Sequence, residues 1–337
     1  MRVRRSIPSA PASTTAVAAA VALGLLTLTA CGNSGDDTGA GSDGKVDVVA
    51  SFYPMQFLAE RIGGTHVEVT TLTQPGVEPH DLELKPRQIG QLGEADYVLY
   101  LKGLQPAADE AIDQSEAKTK VDAGSLTTLE EHGASTEGHS HEHGEEHSEE
   151  EGHGEEGHEH EGGTDPHVWL DPVKYAEIAK GVGDSLAKAD PDHAADYRKN
   201  TDALVKELTA LDTAYASGLK NTSTRTFITT HAAFGYLAER YGLDQEGISG
   251  VSPEAEPSPA RIKELQSIAR KDKVGTVFFE TLASDRTAKT LARDTGLKTA
   301  VLDPLEGITD RSKGDDYLQV MRSNLTALEQ ALGARAR

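Results

Sequence analysis

The chain has 337 residues, 37% of them hydrophobic, which is enough apolar material for two cores of ordinary size, so two lobes are expected. Its formal net charge is -22, and residues 131–165 alone carry 13 acidic side chains with no Lys or Arg. Binding a phosphate backbone needs a basic face, so nucleic acid is excluded as a partner, whereas an acidic field favours solubility and concentrates cations.

At the N-terminus Arg2, Arg4 and Arg5 precede an apolar run from Ala16 to Leu28, which meets Leu28-Thr29-Ala30-Cys31-Gly32. The run is too short for an ordinary membrane span and has the charged flank and small residues of a processing site, so residues 1–30 read as an export signal. Cys31 is the only cysteine and cannot form an intrachain disulfide. The tetrapeptide ending on it resembles a bacterial lipobox. Acylation there would make Cys31 the first mature residue and anchor the protein on the extracytoplasmic face of the cell membrane. A chance cysteine in an ordinary cleaved signal is the alternative, and Arg4-Arg5 leaves the export route open. Residues 31–44, rich in Gly, Ser, Asp and Thr, read as a flexible tether.

The folded part is expected from Lys45. Val46 to Ala50 reads as a strand, and Phe57, Leu58 and Ile62 share a helical face that ends at Gly63-Gly64. A strand over His66 to Leu72, a helix over Pro86 to Leu92, a strand over Tyr97 to Leu101 and a helix over Pro106 to Ser115 follow. Between Glu131 and Gly163 the pattern gives way to Gly, Ser, Glu and eight histidines, His132 among them, from which no core can form. From Asp171 a long helical region begins, with Pro191 placed as the first residue of a helix capped by Asp190 and running to about Leu219. The alternation then restarts with strand Thr226 to Thr230, helices Phe234 to Tyr241 and Pro259 to Lys271, and strand Val274 to Phe279. Helix Asp285 to Thr295, strand Thr299 to Leu302 and a terminal helix from Asp315 to Leu332 complete it. This predicts an α/β fold of two lobes with mainly parallel sheets joined by a single long helix. The expected division is 45–189 for the first lobe, including a His-rich loop 131–163, then 190–220 for the linking helix and 221–337 for the second lobe.

Outside the low-complexity stretch five histidines remain. His66 and His193 read as surface residues. His80, His167 and His231 stand in distinctive strings and would project from loops at the carboxyl ends of parallel strands, where α/β folds place their ligands. Taken singly, each is equally well a core or capping histidine satisfied by a carbonyl.

The strings that carry these residues are Ala50-Ser51-Phe52-Tyr53-Pro54, Glu78-Pro79-His80-Asp81, Asp165 through Pro172, Thr230-His231-Ala232-Ala233-Phe234, Phe278-Phe279-Glu280 and Leu302 through Glu306. In this order the sequence resembles the zinc-binding lipoproteins of bacterial metal ABC importers, the ZnuA and AdcA type of metal-binding solute-binding protein, over nearly everything after Lys45. The resemblance implies two α/β lobes joined by one long helix, with the metal between them. It also implies His80 and His167 as ligands from the first lobe and His231 from the second. Three imidazoles suit zinc; manganese receptors of this kind typically use two histidines and two carboxylates. Glu306, Asp303, Glu280 or a water remains for the fourth position, and the resemblance favours Glu306. Asp81, Asp165 and Asp171 lie near the ligands in sequence and are candidates to orient them, although helix capping and turn formation explain them as well.

The expected function is a high-affinity extracytoplasmic receptor that delivers Zn2+ to an importer permease and, through it, to the ATPase, as a monomer and without catalysis. A manganese or other divalent-metal receptor and a metal-dependent adhesin of the same fold are the alternatives. A metallohydrolase is disfavoured because the chain has no His-Glu-x-x-His element. His139, His141, His143, His147, His153, His158 and His160 are expected to form an auxiliary metal-binding loop that gathers zinc at the mouth of the site.

Overall fold

A computed structural model describes residues 44–132 and 164–334. The expected export signal, Cys31, the tether up to residue 43 and the seven histidines from His139 to His160 lie outside the described residues. The first lobe is built from β1 (Val46–Ala50), α1 (Tyr53–Gly63), β2 (Val67–Thr71), α2 (Pro86–Glu94), β3 (Tyr97–Tyr100), α3 (Pro106–Gln114) and β4 (Thr119–Asp122). Two helices follow, α4 (Pro172–Ala189) and α5 (Ala194–Gly218). The second lobe contains β5 (Thr226–Thr229), α6 (Gly235–Tyr241), β6 (Asp244–Gly247), α7 (Pro259–Lys271), β7 (Thr276–Phe279), α8 (Arg286–Thr295), β8 (Lys298–Val301) and α9 (Tyr317–Ala331).

The two sheets have the same topology, with orders β2-β1-β3-β4 and β6-β5-β7-β8, and every described pairing is parallel. Side chains on successive strand residues face opposite sides, and the cores divide accordingly. Val48, Ala50, Tyr97 and Leu99 pack into a large core with α1, α4, α5 and α9, whereas Val49, Val98 and Tyr100 pack against α2 and α3. In the second lobe Phe227 and Phe278 face the large core, and Ile228 and Val277 face α7 and α8. Each sheet is therefore covered on both faces, as a parallel sheet requires.

The elements read from sequence recur within a residue or two, apart from two strands. β4 and β6 were not expected. Their sequences, TKVD and DQEG, contain one apolar residue between them apart from glycine. Both are edge strands whose position is set by pairing with β3 and β5. The expected role of Asp190 is also corrected. Its side chain caps no helical N–H; Pro191–His193 form a 3₁₀ turn and α5 begins at Ala194. Asp190 instead accepts hydrogen bonds from Tyr197 Oη at 2.6 Å and His193 Nδ1 at 2.7 Å, which bend the chain between α4 and α5.

Candidate metal centre

The loops that leave the carboxyl ends of the strands meet at one place. His80 lies in the loop after β2, His231 two residues beyond β5 and Glu306 in the loop after β8, while His167 opens a 3₁₀ turn (Val168–Leu170) just before α4. Several contacts hold these loops together. Trp169 is fully buried and donates from Nε1 to the carbonyl of Pro304 at 2.7 Å, and Tyr317 Oη donates to the carbonyl of Trp169 at 2.6 Å. The loop bearing His167 is thereby fastened to the loop bearing Glu306. Gln105 Nε2 donates to the carbonyl of Pro79 at 3.2 Å beside His80. Leu305 has φ 61°, a left-handed conformation that costs a non-glycine residue energy and turns the chain sharply before Glu306.

Four side chains converge. Glu306 Oε1 lies 3.2 Å from His80 Nε2, 3.1 Å from His167 Nε2 and 3.4 Å from His231 Nε2, and the last two nitrogens are 3.4 Å apart. All four ligating atoms lie within 4.8 Å of one another. His167, His231 and Glu306 are buried and His80 is partly so. In a tetrahedral zinc site, bonds of about 2.0–2.1 Å put neighbouring ligand atoms about 3.3–3.4 Å apart. The spacing here has the scale of such a tetrahedron's edges, with three nitrogen donors and one oxygen.

Behind the donors stand carboxylates. Asp165 Oδ1 faces His167 Nδ1 at 2.7 Å and accepts the His167 backbone N–H at 2.9 Å. Glu280 Oε1 lies 2.8 Å from His231 Nδ1, accepts the His231 backbone N–H at 3.3 Å and also accepts from Thr230 Oγ1. In each case a buried carboxylate on Nδ1 turns Nε2 toward the centre, the arrangement by which metal-binding histidines are oriented. Burial lowers the pKa of both imidazoles, but Glu280 on His231, Asp165 on His167 and Glu306 on both raise it further than burial lowers it. Burial likewise raises Glu306, and the three imidazoles reverse this and hold its carboxyl well below the usual range. Burial next to Glu306 pushes the Glu78 carboxyl up to about 8.

The three candidates for the fourth position separate. Glu306 joins the three imidazoles. Glu280 stands behind His231, on the far side of the ring. Asp303 accepts from the Leu305 backbone N–H at 2.9 Å, Ser312 Oγ at 2.9 Å and Thr281 Oγ1 at 3.1 Å, and so builds the turn that presents Glu306. Of the aspartates near these histidines in sequence, Asp165 contacts His167. Asp171 caps α4 through the Val173 N–H and pairs with Arg240, and Asp81 is exposed. His66 and His193 lie away from the centre, half-buried and stacked on each other at 3.9 Å.

Residues 48–331 match the family described as ZnuA, zinc-uptake complex component A, periplasmic. The zinc-binding lipoprotein AdcA of Streptococcus pneumoniae is 38% identical over 311 residues, covering 90% of this chain and 58% of that protein. The chain thus spans little more than half the length of that relative. The high-affinity zinc uptake system protein ZnuA of Bacillus subtilis is 38% identical over 319 residues, covering 93% of this chain and 96% of that protein. Among solved structures, the Zn(II)-bound ZnuA-like domain of S. pneumoniae AdcA matches with a TM-score of 0.68 and 34% identity, over 86% of this chain and 99% of that one. The laminin-binding protein Lmb of Streptococcus agalactiae, described as having adhesin and metal-transporting activity, matches with a TM-score of 0.72 and 31% identity, over 86% of this chain and 99% of that one.

Proposed function

The chain belongs to the ZnuA family of zinc-uptake components, and from that premise we propose that it is the receptor of a zinc importer, capturing Zn2+ on His80, His167, His231 and Glu306. The observation that carries this reading is the convergence of three Nε2 atoms on one carboxylate oxygen at 3.1–3.4 Å. Three nitrogens and one oxygen favour zinc over manganese, which binds more weakly to nitrogen and prefers oxygen. The donors come from both halves of the sequence, two before α5 and two after it. Zinc binding is therefore closure of the two lobes on the ion, and release to a permease is its reversal, with no covalent step. The lobes that move are residues 45–189 and 221–337, with 190–220 as the element between them. Cys31 carries the lipid anchor on the extracytoplasmic face of the cell membrane, and residues 131–163 gather zinc for the site.

Thermal denaturation in the presence of zinc, manganese, nickel and calcium tests this. Zinc at 100-fold excess over its dissociation constant adds about 2.7 kcal/mol to the folded state. The expected result is a large upward shift with zinc that His231→Ala abolishes. A larger shift with manganese than with zinc would refute the metal assignment.

A further inference from the structure

A second cluster of potential ligating groups stands outside the centre, where the start of the histidine-rich segment meets α6. His132 Nε2 lies 2.5 Å from Glu239 Oε2 on α6 and 3.7 Å from Glu130 Oε2, and one ligating atom from each of the three falls within 4.8 Å of the others. We propose that Glu130, His132 and Glu239 form a second divalent-cation site, weaker than the inner one, which receives zinc from the adjoining histidine-rich segment.

The cluster is held in place. Tyr236 Oη accepts the Glu130 backbone N–H at 2.8 Å and donates to the Asp165 carbonyl at 2.9 Å, and the Asp165 N–H donates to the Glu130 carbonyl at 2.9 Å. The residues flanking the segment are thereby pinned side by side. His132 packs edge-on against Tyr236 with ring centroids 4.3 Å apart, over Gly235, where a Cβ would come within 2.3 Å of the His132 Cβ. Glu130 gives Oε1 to Lys174 at 2.6 Å and keeps Oε2 for the cluster.

The far side of the imidazole supplies the second observation. Asp165 is fully buried, and its Oδ2 accepts no hydrogen bond although it lies 3.4 Å from the buried His132 Nδ1. A cation on His132 Nε2 fixes the proton on Nδ1, where it faces this oxygen. The Asp165 carboxylate would then back two metal-bound imidazoles, His167 through Oδ1 and His132 through Oδ2, each in the carboxylate–histidine–metal arrangement. Imidazole nitrogen and carboxylate oxygen are both zinc donors. The Glu239 side chain is 62% exposed, which makes the site open to arriving ions and weaker than the buried one. The choice of zinc rests on the function proposed above; the existence of the site does not.

Zinc-edge anomalous scattering from crystals of the full chain grown with zinc locates it directly. Density is expected beside His132 Nε2, Glu130 and Glu239, and Glu239→Gln removes that density while leaving the inner peak. An inner peak with no density beside His132 overturns the proposal. Equilibrium dialysis of the full chain, with the seven histidines from His139 to His160 replaced by Asn, gives an independent reading. Two equivalents of zinc fall to one in Glu239→Gln, and one equivalent also remains in His80→Ala/His231→Ala. A second equivalent that survives both His132→Asn and Glu239→Gln overturns the proposal. Failure of the inner site instead shows as loss of the equivalent that Glu239→Gln leaves untouched.

Discussion

Glu280 touches His231 through Nδ1 and the backbone N–H, and no other ligand. Replacing it by Gln keeps the shape and removes the charge that orients and enriches the imidazole, so Glu280→Gln is expected to weaken zinc binding by about 10- to 100-fold. Chelator competition measures this, and an unchanged melting temperature without metal shows that the fold is intact. The zinc affinity also depends on pH with a definite sign. His167 and His231 hold their protons above the ordinary imidazole value, and zinc requires them neutral, so the affinity falls as pH drops and begins to fall above about 6.5. Glu306, held well below its usual range, stays ionised throughout and adds nothing to this slope. The same carboxylates show where sequence reading stops. The string Phe278-Phe279-Glu280 marked Glu280 as a possible ligand, but its place behind the ring follows from β5 and β7 lying side by side. Asp165, two residues from His167, was within reach of sequence. Asp171, four residues on the other side of His167, is a helix cap, and nearness in sequence does not separate the two roles.

Between elements, the contact of α4 with α5 depends on a missing side chain. A Cβ on Gly183 would meet Thr201 Oγ1 at 2.1 Å and Thr201 Cβ at 3.1 Å. Gly183→Ala is expected to destabilise by about 1–3 kcal/mol through overpacking. The Thr201→Ala change should recover much of that loss in the double variant, as read by denaturant unfolding. A Gly183→Ala chain as stable as the parent would show that the helices separate without cost. Helices and central strands were legible because apolar period and turn residues agree, as in α1, whose buried Phe57, Leu58 and Ile62 precede Gly63 and Gly64. The edge strands β4 and β6, TKVD and DQEG, carry no such period and are placed by pairing with β3 and β5, whereas the edge strands β2 and β8 were legible in their own sequences. The left-handed Leu305 likewise leaves no mark in the sequence, being imposed by the turn that Asp303 builds.

At the scale of the molecule, the four side chains come from both halves of the chain, so zinc held as proposed would link the loops after β2 and β8 and those bearing His167 and His231. Amide exchange in residues 73–85 and 302–309 should slow on zinc addition by the factor that the binding free energy dictates. Equal exchange with and without zinc would mean that the ion binds elsewhere. The two-lobe architecture was readable from the strand–helix alternation on either side of the helical stretch, but the meeting of His80 with Glu306, 226 residues apart, was not. Local pattern carries no information on which loops face each other, and the strings that singled these residues out did so only through resemblance. Competition of the full chain with a tight zinc-chelating dye tests the central claim most directly. Only the tight inner site competes with such a dye, the weaker outer groups yielding their zinc to it, so the parent chain should withdraw one equivalent of zinc and no manganese, and His231→Ala none. A His231→Ala chain that withdraws zinc as the parent does would contradict the account.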